Sequence, residues 1–255
     1  MPKLISWNMS HWQKTSTQRT EAWDYLRSLE ADFALLQEAV PPADLPPHCC
    51  VYRQCGIDAN RRWGSAVVSV VGPIEAVLEA KSRHGKVAVG LHMTFPGSVA
   101  VAKTSSGFTL VSVYTVMEQG YAITTLHRQL SDLTPLFDSP LGRRVVLAGD
   151  MNISTQFPEP DRSRHRNAIE RIASLGMVDA FGLDRPPREA LAECPCEDRP
   201  CRHVQTQRHG RSTIPWQNDY FFISSALASK VKSCRPIHDG YPWSLSDHCP
   251  ILLEF

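Results

Sequence analysis

Phe33-Ala34-Leu35-Leu36-Gln37-Glu38-Ala39-Val40-Pro41-Pro42 is the stretch on which the architecture turns. Residues 33–37 form a compact apolar segment too short for a core helix. The segment is closed by an acid and then a proline pair, so it reads as a buried strand with Glu38 at its exit. Upstream, residues 17–30 place Ala22, Trp23, Leu26 and Leu29 at helical spacing, and residues 4–9 are a further short apolar run that contains Asn8 near its end. Strand, helix and strand in succession predict a sheet covered by helices.

Downstream, runs at 65–71, 74–78, 86–95, 99–104 and 108–114 are separated by Gly-Pro, His-Gly, Pro-Gly and Ser-Gly turn signals. Consecutive short strands of this kind pair antiparallel. A helix is predicted over 122–137, where Leu126, Leu130, Leu133 and Phe137 recur at three or four residues; a strand at 145–148 then empties into Gly149-Asp150-Met151-Asn152. A helix over 165–175 stops at Gly176, as a C-terminal glycine dictates. Residues 182–215 are polar and irregular, and strands at 218–223 and 251–255 close the chain. No repeat or linker divides it, so one domain is expected over 1–255, with a Cys/Arg/His-rich insertion at about 183–215.

Composition narrows the class. Lys plus Arg is 27 against 26 for Asp plus Glu, a net charge of +1, so no global field steers this chain to a polyanion and any such site must be local. With 42% hydrophobic residues there is ample material for a core, and 19 prolines predict many loops around it. The longest uncharged run, 87–102, is broken by Pro96 and Gly97 and falls short of the roughly 18 residues a membrane helix needs. Met1-Pro2-Lys3-Leu4-Ile5-Ser6-Trp7-Asn8 contains no apolar signal core, which predicts a cytoplasmic protein with no membrane partner. Eight cysteines in 255 residues are too sparse for a disulfide scaffold and are expected as thiols or metal ligands.

The chemistry lies at strand exits. Four apolar segments each adjoin an oxygen-bearing side chain suited to a hard cation: Asn8, Glu38, Asp150 with Asn152, and Asp247 followed by His248. Singly, Asn8, Asp150 and Asn152 read as ordinary turn formers, Glu38 as a solvated loop acid, and Asp247 with His248 as a locally satisfied loop. Jointly they resemble a metal-assisted phosphoryl-transfer site, because ligands in open α/β sheets bind beyond strand ends.

Ile5-Ser6-Trp7-Asn8, Leu35-Leu36-Gln37-Glu38, Gly149-Asp150-Met151-Asn152, Asn218-Asp219-Tyr220 and Ser246-Asp247-His248-Cys249-Pro250 stand in the order found in the endonuclease/exonuclease/phosphatase superfamily, which the chain resembles from Leu4 to Phe255. Residues 62–69 resemble that family's glycine-led strand, and Ser112-Val113-Tyr114 the strand carrying its active-site tyrosine. The resemblance implies a deoxyribonuclease-I-like α/β fold, a four-layer sandwich of two packed, mostly antiparallel β-sheets flanked by helices. It implies Mg²⁺ or Mn²⁺ held principally by Glu38, with Asn8 and Asp247 in or near its shell. Asp150 would orient or deprotonate the attacking water, Asn152 would hold that water or a phosphate oxygen, and His248 would contact the scissile phosphate. Asp219 would orient His248, and Tyr114 would donate to the phosphate or assist the leaving group. Two departures bear on substrate: Tyr114 precedes Thr115-Val116-Met117 where abasic-site endonucleases of the family usually have a Pro-Asn element, and Asn218 precedes Asp219 where an arginine or aliphatic residue is more usual.

Between 194 and 211 thiols, imidazoles and guanidiniums gather just before the Asp219 strand. Arg202, His203, Arg208, His209 and Arg211, with Arg61, Arg62 and Trp63 from another loop, are expected to bind the phosphates and a base of a nucleic acid, since arginine offers forked donors and tryptophan a stacking face. Alternatively Cys194, Cys196, Cys201 and His203 hold a structural Zn²⁺, on a Cys-x-Cys-x4-Cys-x-His spacing that is not a standard one. The expected activity is a divalent-metal-dependent phosphodiesterase, a nuclease acting on DNA or RNA by in-line attack of water. A phosphatase or phosphodiesterase for small or lipid phosphate esters, and a catalytically silent phosphate- or protein-binding module, are the alternatives.

Overall fold

The computed structural model describes residues 2–55, 63–85, 87–183, 189–196, 198 and 200–255. In chain order it holds β1 (Lys3–Asn8), α1 (Ser16–Ser28), β2 (Phe33–Ala39), β3 (Cys50–Gln54), β4 (Gly64–Ser69), β5 (Ile74–Ala76), β6 (Glu79–Lys81), β7 (Ala88–Gly90), β8 (Val99–Thr104) and β9 (Thr109–Tyr114). There follow α2 (Ile123–Asp132), α3 (Thr134–Phe137), β10 (Val145–Asp150), α4 (Asp161–Ser174), β11 (Met177–Asp179), β12 (Asp219–Ser224), β13 (Ser233–Pro236), α5 (Pro242–Leu245) and β14 (Ile251–Glu254).

Two six-stranded sheets, ordered β13-β14-β1-β2-β4-β3 and β11-β12-β10-β9-β8-β5, carry the molecule, with β6 and β7 as a separate pair. Among the described residues only β1 with β2 and β9 with β10 pair parallel, and the remaining pairings are antiparallel. Period-two alternation sorts side chains onto the two faces of each sheet. Leu4, Leu35 and Val67 of one sheet meet Leu110, Val146, Ala148 and Phe221 of the other in the central core. Ile5, Trp7 and Leu36 face the other way, onto Trp23 and Leu26 of α1. Val111, Val113 and Leu147 face Leu126 and Leu130 of α2 and Ala168 and Ile172 of α4. This is the four-layer sandwich expected from the sequence, and it explains why β1, β2 and β10 read as nearly continuous apolar runs: both of their faces are buried.

The element boundaries differ from expectation where local chemistry intervenes. The helix expected over 122–137 breaks at Leu133, because Pro135 sits in the first turn of α3 and has no N–H to continue the α2 ladder. α1 begins at Ser16 under a Thr15 capping box closed by Gln18. The strand expected over 86–95 is the three-residue β7, and β3, β6, β11 and β13 lie outside the expected runs; each is only three to five residues long, so neither length nor alternation marks it. The described part of 189–217 contains no helix or strand, only a bridge from Gln207 to Trp216 and His248. Among the described residues no helix is long and apolar enough to cross a membrane.

Candidate active site

The sheet pairings bring the strand exits to one edge. Because β1 and β2 run parallel and in register, with Asn8 opposite Gln37, Asn8 and Glu38 leave the first sheet side by side. In the second sheet Asp150 ends β10 opposite Tyr114 at the end of parallel β9, and opposite Asp219 at the start of antiparallel β12. His248 lies three residues before β14, the antiparallel neighbour of β1.

Backbone conformation aims these groups. Gly149 has φ +149°, and a Cβ there would lie 1.9 Å from the Val113 carbonyl oxygen, so only glycine lets β10 approach β9 immediately before Asp150. Glu38 sits in the left-handed region with φ 47°, at the register shift between β2 and β4, a conformation that costs a non-glycine residue roughly 1 kcal/mol or more. Asn152 shares that region with φ 49°, where asparagine is at home.

Asn8 joins the two sheets: its Nδ2 donates to Asp150 Oδ2 at 2.9 Å and to Glu38 Oε1 at 3.3 Å. Asn152 donates from its backbone N to Asp150 Oδ1 at 3.0 Å, and from Nδ2 to Asp150 Oδ2 at 3.3 Å and the Thr115 carbonyl at 3.0 Å. His248 Nδ1 lies 2.8 Å from Asp219 Oδ2, while its Nε2 is 3.7 Å from Asp150 Oδ2. Asn8, Asp150, Asp219 and His248 are each no more than 3% exposed, and Glu38 is 7% exposed.

Charge and burial pull against each other here. Burial pushes the Glu38 carboxyl up, and hydrogen bonds from Tyr114 and Asn8 draw it partly back. Burial lifts Asp150 to about 7 against the pull of the His248 cation, with Asp219 adding to the rise. Burial would depress His248, but Asp219 and Asp150 outweigh it and hold the imidazole protonated, at about 10. The imidazolium therefore sits between two carboxylates, and those three residues offer ligand atoms within 4.8 Å of one another, a cluster that does not include Glu38 or Asp247.

The residues present fit a hard divalent cation. Oε2 of Glu38 is buried and accepts no hydrogen bond among the described residues, and Oδ1 of Asp219 is in the same condition. An anionic oxygen withheld from water is costly unless a cation or ligand meets it. Carboxylate oxygens are donors of Mg²⁺ or Mn²⁺ rather than of zinc, whereas the Asn8 amide turns its Nδ2 to both carboxylates and its oxygen to Ser10 N at 3.0 Å, so the structure places Asn8 as a carboxylate-positioning residue and not a ligand. Asp247 stands at the mouth: it is exposed, and its charge is felt by both Glu38 and His248.

The predicted substrate contacts divide. Arg61 and Arg62 lie outside the described residues. Trp63 is not a free stacking platform: it is 3% exposed, and its ring packs edge-on against Tyr114 with centroids 4.8 Å apart, so it buttresses the tyrosine from beneath. His203 does not grip phosphate either, because both ring nitrogens are engaged, Nε2 with Thr155 Oγ1 at 2.7 Å and Nδ1 with the sulfurs of Cys194 and Cys201. Arg202, Arg208, His209 and Arg211 are exposed. Arg208 reaches the rim: its backbone N donates to the Asp247 carbonyl at 2.8 Å and its guanidinium lies 4.3 Å over the Trp243 ring. Arg202 instead lines a cavity with Thr155, Asp179 and Asp198.

Several supports had no isolated signal in the sequence. Ser246 Oγ donates to the Asn8 carbonyl at 2.8 Å and accepts from His248 N at 3.1 Å, tying the histidine loop to β1. Thr206 Oγ1 accepts from the backbone N–H of Asn218 and Asp219. Gln37 Nε2 donates across the sheets to Ser112 Oγ at 2.9 Å behind Glu38. The unusual Asn218 turns its amide onto Gln207 and leaves the Asp219–His248 contact intact.

The endonuclease/exonuclease/phosphatase family model matches residues 5–248. None of the curated proteins compared matches the chain significantly in sequence. Among solved structures, an AP endonuclease from Archaeoglobus fulgidus superposes with TM-score 0.68 at 17% identity, covering 100% of this chain and 99% of that one. The 3′ phosphatase NExo from Neisseria bound to product DNA hairpin gives TM-score 0.68 at 19% identity over 100% and 99% of the two chains. The 3′-5′ exonuclease NExo from Neisseria meningitidis gives 0.67 at 20% over 99% of each. At these identities the likeness is one of fold.

Proposed function

The chain belongs to the endonuclease/exonuclease/phosphatase family, and from that membership we propose a divalent-metal-dependent phosphodiesterase that hydrolyses DNA or RNA by in-line attack of water. The observation that carries this reading is the meeting of Asp150 and His248 with Asn8 and Glu38 at one edge of the sandwich, where Glu38 keeps a buried oxygen that meets no partner among the described residues. Displacement at phosphorus needs neutralised charge and a positioned nucleophile more than covalent chemistry, and this set supplies both.

Glu38 would hold the cation, with Asp247 near its shell and Asn8 fixing the Glu38 and Asp150 carboxylates beside it through Nδ2; Mg²⁺ or Mn²⁺ there would supply charge neutralisation on the phosphate. Asp150, held by Asn8 and Asn152 at the meeting of the two sheets, orients the attacking water or takes its proton. Asn152 fixes both oxygens of Asp150 and gives its Nδ2 to Asp150 and the Thr115 carbonyl, which leaves its amide oxygen to accept from the attacking water. His248, kept cationic by Asp219, contacts the scissile phosphate. Tyr114, braced by Trp63, donates to the phosphate or the leaving group. Nucleic acid is favoured as substrate by the DNA-processing enzymes among the structural neighbours, one of them bound to a DNA hairpin. Abasic-site cleavage is not carried over, because Thr115-Val116-Met117 follows Tyr114.

Nicking of supercoiled plasmid and cleavage of labelled single-stranded DNA and RNA, each with Mg²⁺, with Mn²⁺ and with EDTA, test the proposal beside Asp150→Asn and His248→Ala. Metal-dependent cleavage lost in both variants is expected. Hydrolysis of simple phosphate esters without nucleic-acid cleavage would replace the nuclease with a small-ester phosphatase, and no hydrolysis at all would leave a binding module.

A further inference from the structure

We propose that Cys194, Cys196, Cys201 and His203 hold one zinc ion in a closed, four-coordinate structural site, independent of the oxygen-rich centre and of the reaction proposed for it. The four ligand atoms lie within 4.8 Å of one another. His203 Nδ1 is 3.6 Å from Cys194 Sγ and 3.5 Å from Cys201 Sγ. Tetrahedral zinc, with bonds of about 2.3 Å to sulfur and 2.0–2.1 Å to nitrogen, separates nitrogen from sulfur by about 3.5–3.6 Å, so these distances are edges of a coordination tetrahedron.

Hydrogen bonding alone accounts poorly for the arrangement. Nδ1 has one lone pair in its plane, yet two sulfurs converge on it; a single cation serves all of them. The other ring nitrogen meets Thr155 Oγ1 at 2.7 Å, the kind of outer contact that fixes the tautomer of a metal-ligating histidine. Gln156 Nε2 approaches Cys194 Sγ at 3.3 Å as a donor, which favours a thiolate. A disulfide would require sulfurs about 2.05 Å apart, and the structure joins none of these cysteines in a disulfide. Thiolates with an imidazole select zinc over Mg²⁺. Binding displaces the protons of three thiols to solvent and involves no oxidation.

The location gives the ion something to hold. The described part of 189–217 has no helix or strand with which to order itself. The ligands tie it to the loop after Asn152 through Thr155 and Gln156, and Gln156 Oε1 in turn accepts from Gln217 N at 2.7 Å. From the last ligand the chain runs to Thr206, which supports Asp219. A clamp of this kind orders a segment whose own core is too small to do so.

Protein purified in reductant without added metal is analysed for zinc, and metal-stripped protein is titrated with Co²⁺. One zinc per chain is expected, retained in Asp150→Asn and lost in Cys196→Ser and His203→Gln, with thiolate-to-cobalt charge-transfer absorption in the unsubstituted chain. Absence of both zinc and that absorption in the unsubstituted protein would overturn the site without any variant needing to fold. Zinc lost in Asp150→Asn but kept in Cys196→Ser would overturn it equally.

Discussion

His248 Nδ1 stands 2.8 Å from Asp219 Oδ2, with both side chains almost wholly buried. Asp219 thus orients the ring and, by its charge, keeps it protonated. His248→Ala is expected to lower kcat by roughly 10²–10⁴-fold, and Asp219→Asn by a comparable factor. Since they act as one unit, the double variant should lose little more than either single one. Asp219→Asn should also move the alkaline limit of activity to lower pH, because the main charge raising His248 is gone. Additive losses with an unmoved pH profile would mean that the two act separately.

The Glu38 oxygen that meets no partner among the described residues is the one offered to a cation. EDTA should abolish hydrolysis and Mg²⁺ or Mn²⁺ restore it, while Glu38→Gln should raise the metal concentration needed for half-maximal rate by at least tenfold, about 1.4 kcal/mol of binding. A metal titration curve identical to that of the unsubstituted enzyme would remove Glu38 from the coordination shell.

Gly149→Ala tests the packing that brings Asp150 to the centre. The added Cβ meets backbone oxygen of Val113 at 1.9 Å in a conformation with φ +149°, which no side-chain rotation relieves. A loss of about 3 kcal/mol or more in urea unfolding is expected. A stability change under about 1 kcal/mol would show that β9 and β10 can separate there without penalty.

His11 predicts acid lability away from the site. Burial, aided by Arg19, lowers its pKa from 6.5 to about 3, and Nδ1 accepts from Val40 N at 3.0 Å. Between those values the unfolded chain binds a proton that the folded one refuses, so stability falls as pH drops below 6.5, by up to about 1.4 kcal/mol per unit from this group. Urea melts at pH 7 and pH 5 should show a smaller acid penalty in His11→Asn, whose amide oxygen can accept from Val40 and does not titrate. An equal penalty in both proteins would assign the lability elsewhere.

Arg208 on the rim and Arg211 near it in sequence are both exposed, and removing both should flatten the salt dependence of polynucleotide binding. Each phosphate contact contributes roughly one unit to the slope of log affinity against log salt. Affinity measured from low to moderate salt on Arg208→Ala/Arg211→Ala provides the check; an unchanged slope would place the phosphates elsewhere.

The layered architecture was readable because burial on both faces writes itself locally, residue by residue, as in Leu4 against Ile5 or Val146 against Leu147. Pro135 could have marked the break between α2 and α3, since a missing N–H is a property of one residue. The oxygens at strand exits were readable as candidates for the same reason. Their union was not: Asn8 reaches Asp150 across 142 positions, and Trp63 turns under Tyr114 instead of outward, because the register between strands and the stacking of one sheet on the other set those distances. The thiols before Asp219 were visible as a cluster, but only the folded chain points two sulfurs at one imidazole nitrogen. Periodicity encodes which face a side chain takes; the closing of long loops decides which faces meet.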